Sequence, residues 1–435
     1  MTPAARVAAA IDLLAAIEAT RTRPADAVAN DWFRARRFIG GSDRRAVSDR
    51  VWQVLRHYRR LAWWLAKAGG TTIDAPLPRL LVAASLLLDG TALSAITALY
   101  SGGRFAAPPL DPAEHAALRP LEGHTVNHPS MSDAVLLEIP DWLFPRLATR
   151  FGPATQPELE VLLQPAPLDL RTNLLKATRP EARAALAAEG LAATPTHLSP
   201  WGLRLDGRRP VMSGPAFQAG LVEIQDEGSQ LVAALVDARP GHRVCDYCAG
   251  AGGKTLALAA TMENRGHLLA CDTAAARLDN ATRRLRRAGA GNVERHLLQP
   301  GDKWAKRRAG SFDRVLVDAP CSGTGTWRRN PDARQRLAET DLAELGERQA
   351  AILDAAAALV RTQGRLVYAT CSLLEEENEA QVTRFLARYP GFALVPLPQA
   401  WPLQGPPPCE GNYLSLTPAR HGTDGFFAAV LERAA

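Results

Sequence analysis

The sequence predicts a doubly wound α/β sheet for its C-terminal half, preceded by an all-helical region and a small α+β module. Three observations carry that prediction. From about residue 242 onward, short apolar runs alternate with Arg/Ala/Leu-rich stretches of helical period, the pattern of a parallel sheet with crossover helices. Residues 1–100 instead repeat apolar side chains at three- and four-residue spacing. Between the two, residues 141–225 mix short alternating runs with a helical one. At 435 residues, 47% of them hydrophobic and 22% charged, the chain has room for two or three ordinary globular domains.

Taken in order, AARVAAAIDLLAAIEA, RAVSDRVWQVLRHYRRLAWWLAKA and PRLLVAASLLLDGTALSAITALY read as helices. The glycine pairs Gly40-Gly41, Gly69-Gly70 and Gly102-Gly103 punctuate them. Residues 101–140 carry six prolines with little periodicity and read as a linker or wrapping segment closing a 1–140 domain. In the 141–225 module, PLDLRTNLL and WGLRLDG read as strands, and PEARAALAAEG as a helix ended by Gly190. In the 226–435 domain the expected strands are 242–248, 266–272, 292–298, 312–320, 364–372 and 425–433. KTLALAATM, AARLDNATRRLRRAG and ETDLAELGERQAAILDAAAALVRTQG form the helices between them.

Composition narrows the classes of function. No run approaches the roughly 18 apolar residues of a membrane span, and Asp12 and Glu18 interrupt the N-terminal apolar stretch, so neither membrane insertion nor export is expected. A cytoplasmic setting follows, with the six cysteines reduced rather than paired in a disulfide framework. Residues 1–67 hold thirteen Arg and Lys against six Asp and Glu, a local excess of +7 beside a net charge of +6 for the whole chain, so the remainder is close to neutral. The same segment contains Trp32, Phe33, Trp52, Tyr58, Trp63 and Trp64. It reads equally as a nucleic-acid-binding module and as a helical domain with an aromatic core and a solvated Arg face.

Chemistry gathers at the expected C-terminal ends of the strands. The first strand ends at Asp246 and runs through the glycine-rich loop Cys248-Ala249-Gly250-Ala251-Gly252-Gly253-Lys254 into a helix. Glycines there let backbone N–H groups approach a ligand and let helix and strand pack closely. A phosphate-binding P-loop would need glycine where Cys248 stands, and the spacing is not that of a dinucleotide fingerprint. The second strand ends at Asp272, where a carboxylate suits a pair of ribose hydroxyls. Asp302 follows the third strand and Asp318 ends the fourth. Each aspartate alone is more often a cap or turn residue; four at one sheet edge make a convergent site.

Two cysteines share that edge, Cys321 in DAPCSGTG and Cys371 in YATCSLLEEEN. A lone cysteine is usually a small buried hydrophobe, but paired thiols at neighbouring strand tips point to chemistry. The CxxC spacing of Cys245 and Cys248 lacks a second ligand pair, so no metal is expected, and Cys245 should face the core.

Together, the glycine loop, Asp272, DAPCSGTG, YATCSLLEEEN and HGTDGFFAAVLER resemble the RsmB/Sun (NOL1/NOP2) family of S-adenosylmethionine-dependent RNA cytosine-5 methyltransferases. LDLRTN (168–173), Gln225-Asp226-Glu227-Gly228-Ser229-Gln230 and, more weakly, the N-terminal helices extend the likeness. The resemblance implies a Rossmann-like domain with a mostly parallel seven-stranded sheet, behind a NusB-like RNA-binding domain. It implies S-adenosylmethionine held by residues 248–254, Asp272, Asp302 and Asp318. It assigns Cys371 as the nucleophile on cytosine C6, Cys321 to release of the adduct, and Asp318 to the base or the cofactor. Arg328 and Arg329 could hold flanking RNA backbone or simply be solvated. The implied substrate is small-subunit (16S) ribosomal RNA, and a monomer is expected. Another RNA, or a non-catalytic RNA-binding assembly role, are the alternatives. The family's usual loop reads CAAPGGKT; Gly250 and Ala251 here should make it more flexible.

Overall fold

The computed structural model describes residues 1–69, 77–207, 209–299, 301 and 303–435. Gly70 and Asp302 therefore lie outside the described residues. Two compact units result: Met1–Gln164 with Trp327–Ala338, and Pro165–Thr326 with Glu339–Ala435. No helix among the described residues is long and apolar enough to cross a membrane.

The first unit is helical. Its opening helix, Pro3–Ala19, starts on Thr2, whose side chain accepts the Ala5 N–H, and buries Leu13 and Leu14 completely. The run expected over 45–68 divides at His57 into helices Gly41–Arg56 and Tyr58–Gly69. Trp32, Phe33 and Trp64 are at most 8% exposed, so these aromatics serve the core rather than a nucleic-acid surface. Residues 101–140 are more ordered than a linker. Asp111 and Glu114 form a capping box on helix Pro112–Leu118, and Leu110, Leu118, Leu121 and Met131 join the same core. The segment 327–338 belongs to this unit as well. Trp327 is fully buried, Arg56 donates to the carbonyl oxygens of Gln164 and Arg328, and Asp332 accepts the N–H of Ala25. Arg328 is 5% exposed, so its side chain is not solvated, one of the two readings left open for it.

The second unit contains two sheets. The smaller consists of β1 (Leu168–Thr172), β2 (Ala193–Pro195), β3 (Gly202–Leu205) and β4 (Val222–Ile224) in the order β2-β3-β1-β4, all antiparallel. Helix Arg179–Ala188 follows β1 and carries the Thr178/Glu181 capping box.

The larger sheet is built from β5 (Arg243–Asp246), β6 (His267–Asp272), β7 (Val293–Leu297), β8 (Phe312–Asp318), β9 (Val360–Thr370), β10 (Phe392–Val395), β11 (Leu414–Leu416) and β12 (Phe426–Arg433). Among the described residues seven strands lie on one path, β10-β12-β9-β8-β5-β6-β7, and β11 pairs with β12 off that path. Strands β5 to β9 run parallel, while β12 is antiparallel to β9. Val244, Cys245, Leu268, Leu269, Leu316 and Val367 are fully buried, as in a sheet covered on both faces. All six expected strands are present. The long expected helix stops at Ala357, because its last residues, from Val360, begin β9 instead. β10 and β11, of four and three residues, were too short to carry a period.

This order positions the site. From β5 the chain steps through β6 and β7 on one side, then continues through β8 and β9 on the other. The reversal lies between β5 and β8, and a crevice opens beyond the carboxyl ends of strands at such a point.

Candidate active site

The β5–helix loop enters the crevice. Gly250 and Gly252 adopt φ of +56° and +82°, a region that strains any residue with a Cβ. Three anchors hold the loop. Gly250 N–H donates to Asp272 (2.9 Å), Arg284 Nη1 donates to the Ala251 carbonyl (2.9 Å), and Arg171 Nη1 donates to the Gly253 carbonyl (2.8 Å). Arg284 is braced in turn by Glu223 of β4 (3.1 Å), and Arg171 by Gln225. The flexibility expected from Ala251 is thus countered by side chains of the small sheet and of helix Ala275–Ala288.

Behind the loop, the Asp246 carboxylate is 1% exposed. Thr255 donates to its Oδ2 (2.7 Å), while Oδ1 is buried without a hydrogen-bond partner among the described residues. Burial pushes this carboxyl up to about 7. Asp272, at the tip of β6, also accepts the N–H of Ala274 (2.8 Å). Lys254, though on the loop, turns its ammonium to Asp318 Oδ2 at 2.6 Å. Burial pulls this amine down, but the Asp318 carboxylate, with Cys371 and Asp246 adding to it, outweighs that and raises it overall.

The thiols stand at the ends of neighbouring strands, and their sulfurs are 3.5 Å apart. The hydrogen bond to Cys371, burial, and negative charge at Cys371 and Glu377 hold the Cys321 thiol well above its usual range. Ser322 and Ser372, each following a cysteine, both donate to the Glu377 carboxylate. The cysteine loops also touch through backbone, since Gly325 N–H donates to the Cys371 carbonyl (2.9 Å) and Gly425 N–H to the Gly325 carbonyl (2.9 Å). A Cβ on Gly325 would stand 2.4 Å from the Gly425 oxygen. Gly325→Ala should therefore cost about 1–3 kcal/mol and impair activity together with stability. Urea unfolding and a methyl-transfer assay check this.

Cys248, Ala249, Gly250, Ala251, Gly253, Lys254, Asp272, Asp318 and Cys321 line one crevice of about 1100 Å³. Gly252 shapes the turn without lining it, and Cys371 lies beside Cys321. Cys245 is fully buried, in keeping with the core position expected of it. Arg171, Glu223, Arg284, Gln349 and Glu377 were not singled out. Glu377 ends the run Glu375-Glu376-Glu377, which resembles any solvated acidic turn; only the third glutamate is buried.

A doubly wound sheet with a glycine loop, an acid on the neighbouring strand and a crevice at the switch point defines a cofactor-dependent α/β enzyme. The family described as 16S rRNA methyltransferase RsmB/F matches residues 233–432, and the ferredoxin-like domain of RsmF/B-like methyltransferases matches 139–212. The probable ribosomal RNA small subunit methyltransferase B of Synechocystis is 37% identical over 68% of this chain and 67% of its own length. The corresponding Xylella fastidiosa protein is 39% identical over 67% of this chain and 68% of its own. The crystal structure of PH0851 superposes with a TM-score of 0.81 at 25% identity, covering 100% of this chain and 99% of that one. The chain belongs to the RsmB/F family of RNA methyltransferases.

Proposed function

We propose that this protein methylates carbon 5 of a cytosine in 16S ribosomal RNA, using S-adenosylmethionine and a covalent bond between Cys371 and C6. The names of its relatives support the RNA. One observation carries the chemistry: two sulfurs at adjacent strand tips, 3.5 Å apart, beside the crevice. In this reading the basic helical region (1–140) and the α+β module (141–225) recognise RNA, and residues 226–435 catalyse.

The donor set fits S-adenosylmethionine. Asp272 would accept from the ribose hydroxyls, and Leu298 and Ile352 offer apolar walls for the adenine. The unpartnered Asp246 Oδ1 would meet the amino acid's ammonium. When bound, the group supplies an electrophilic methyl on sulfonium. Asp272→Ala removes a charged acceptor and its hold on the Gly250 N–H. Its S-adenosylmethionine affinity should fall about 10- to 100-fold, as charge-assisted hydrogen bonds predict, read by titration calorimetry.

Cytosine C5 is a weak nucleophile until C6 is attacked. The hydrogen bond to Cys371, burial and the nearby negative charges raise the Cys321 thiol, and in this mechanism Cys371 attacks as the thiolate. Lys254 offers positive charge to that thiolate. Its sulfur adds to C6, and the electron pair moves to C5, which takes the methyl. Asp318, steadied by Lys254, would accept from the cytosine's N3/N4 edge. With Cys371 held in the thioether, Cys321 is the free thiol beside it. That thiol then gives its proton to solvent and accepts the C5 proton, and elimination of Cys371 restores the aromatic ring. The target base must leave its stack to reach these groups.

Bisulfite sequencing of small-subunit RNA from cells with and without the gene tests the substrate. One cytosine should lose protection when the gene is absent. Unchanged 16S RNA beside a lost site in another RNA would redirect the assignment.

A further inference from the structure

We infer that Glu377 is a positioning residue for the reaction: its buried carboxylate ties the loop after Cys321 to the turn after Cys371 and so sets the gap between the two sulfurs. The inference rests on the assignment of both thiols to catalysis.

The carboxylate is fully buried and has four donors. Oε1 accepts the backbone N–H of Ser322 (2.8 Å) and the Gln349 amide (3.0 Å). Oε2 accepts the hydroxyls of Ser322 and Ser372. One side chain thus grips the residue next to each cysteine. Gln349 extends the grip by donating to the carbonyl of Pro320, on the other side of Cys321 (3.0 Å). Neighbouring groups hold the turn that carries Glu377. Tyr368 donates to its carbonyl (2.6 Å), and Asn378 bonds Thr370 and the Ser372 carbonyl, flanking Cys371 from both sides.

A buried carboxylate is costly to desolvate unless its acceptor sites are filled, and here they are. A plain structural contact would be served by a neutral group. An anion facing Cys321 also bears on that thiol, because it favours the protonated form.

Glu377→Gln preserves shape and lets the amide face the two hydroxyls, while removing the charge and one acceptor. In the full-length protein its turnover should fall about 100-fold, the scale of a misplaced reacting group. KM for S-adenosylmethionine should stay within about twofold, because Glu377 touches none of the cofactor loop's anchors. Iodoacetamide alkylation of Cys321, followed by peptide mass against pH, should shift to lower pH, since the opposing charge is gone. Turnover within about threefold of the parent, a KM that rises as much as turnover falls, or an unmoved Cys321 profile would each overturn the proposal. Should E377Q not fold, Gln349→Ala leaves the carboxylate in place and should lower turnover about tenfold at unchanged KM; parental turnover there overturns it equally. Failure of the thiol assignment has a separate signature, a Cys371→Ala enzyme that still methylates while the Cys321 profile responds to E377Q.

Discussion

Cys371→Ala should abolish methylation while leaving the protein folded and able to bind S-adenosylmethionine. The thiol is half-buried at the end of β9, and losing one sulfur there is a small packing change. It does not line the crevice given to the cofactor, so calorimetry with S-adenosylmethionine should read as for the parent. Turnover, by contrast, loses the proposed covalent route. The expected fall is on the order of 10⁴-fold or more, the scale on which removing a nucleophile lowers catalysis. Incorporation of labelled methyl into 16S RNA measures it. Full activity in this variant would remove the thioether from the mechanism.

Cys321→Ala should behave in the opposite sense, accumulating what the parent enzyme resolves. In the proposed mechanism C5 bears both a methyl and a hydrogen after methyl transfer, and Cys371 cannot leave until that proton is taken. With the neighbouring sulfur gone, the protein–RNA bond persists. Denaturing electrophoresis should show a slow band that needs both RNA and S-adenosylmethionine. Before methyl transfer, addition to C6 is reversible and leaves no such trap. The geometry limits substitutes for this base. Lys254 is held protonated by Asp318, and Ser322 is engaged by Glu377.

Much of this was legible in the sequence, for identifiable reasons. Parallel strands buried on both faces leave continuous apolar runs, and their tips leave Asp246, Asp272, Asp318, Cys321 and Cys371 at fixed distances behind those runs. These five could be assembled from the sequence, while Asp302, also expected at this edge, lies outside the described residues. What stayed hidden depends on side-chain direction and on contacts between distant segments. Glu375 and Glu376 face solvent while Glu377 is buried, and nothing in three consecutive glutamates distinguishes them. Arg284 lies on an Arg-rich helix whose other arginines resemble it; only the fold brings it to the Ala251 carbonyl. The aromatic residues of the basic segment fitted an RNA surface as well as a core, until packing assigned Trp32, Phe33 and Trp64 to the core. Residues 327–338 begin one residue after DAPCSGTG yet fold with the first unit, a change of partner that no local pattern announces.

The most direct test of the two-thiol account is to isolate the Cys321→Ala complex, digest protein and RNA, and locate the modified peptide by mass spectrometry. The account predicts one nucleotide bearing a methylated cytosine, attached to the peptide that contains Cys371. Attachment at any other residue, or a trapped base without its methyl, would contradict it.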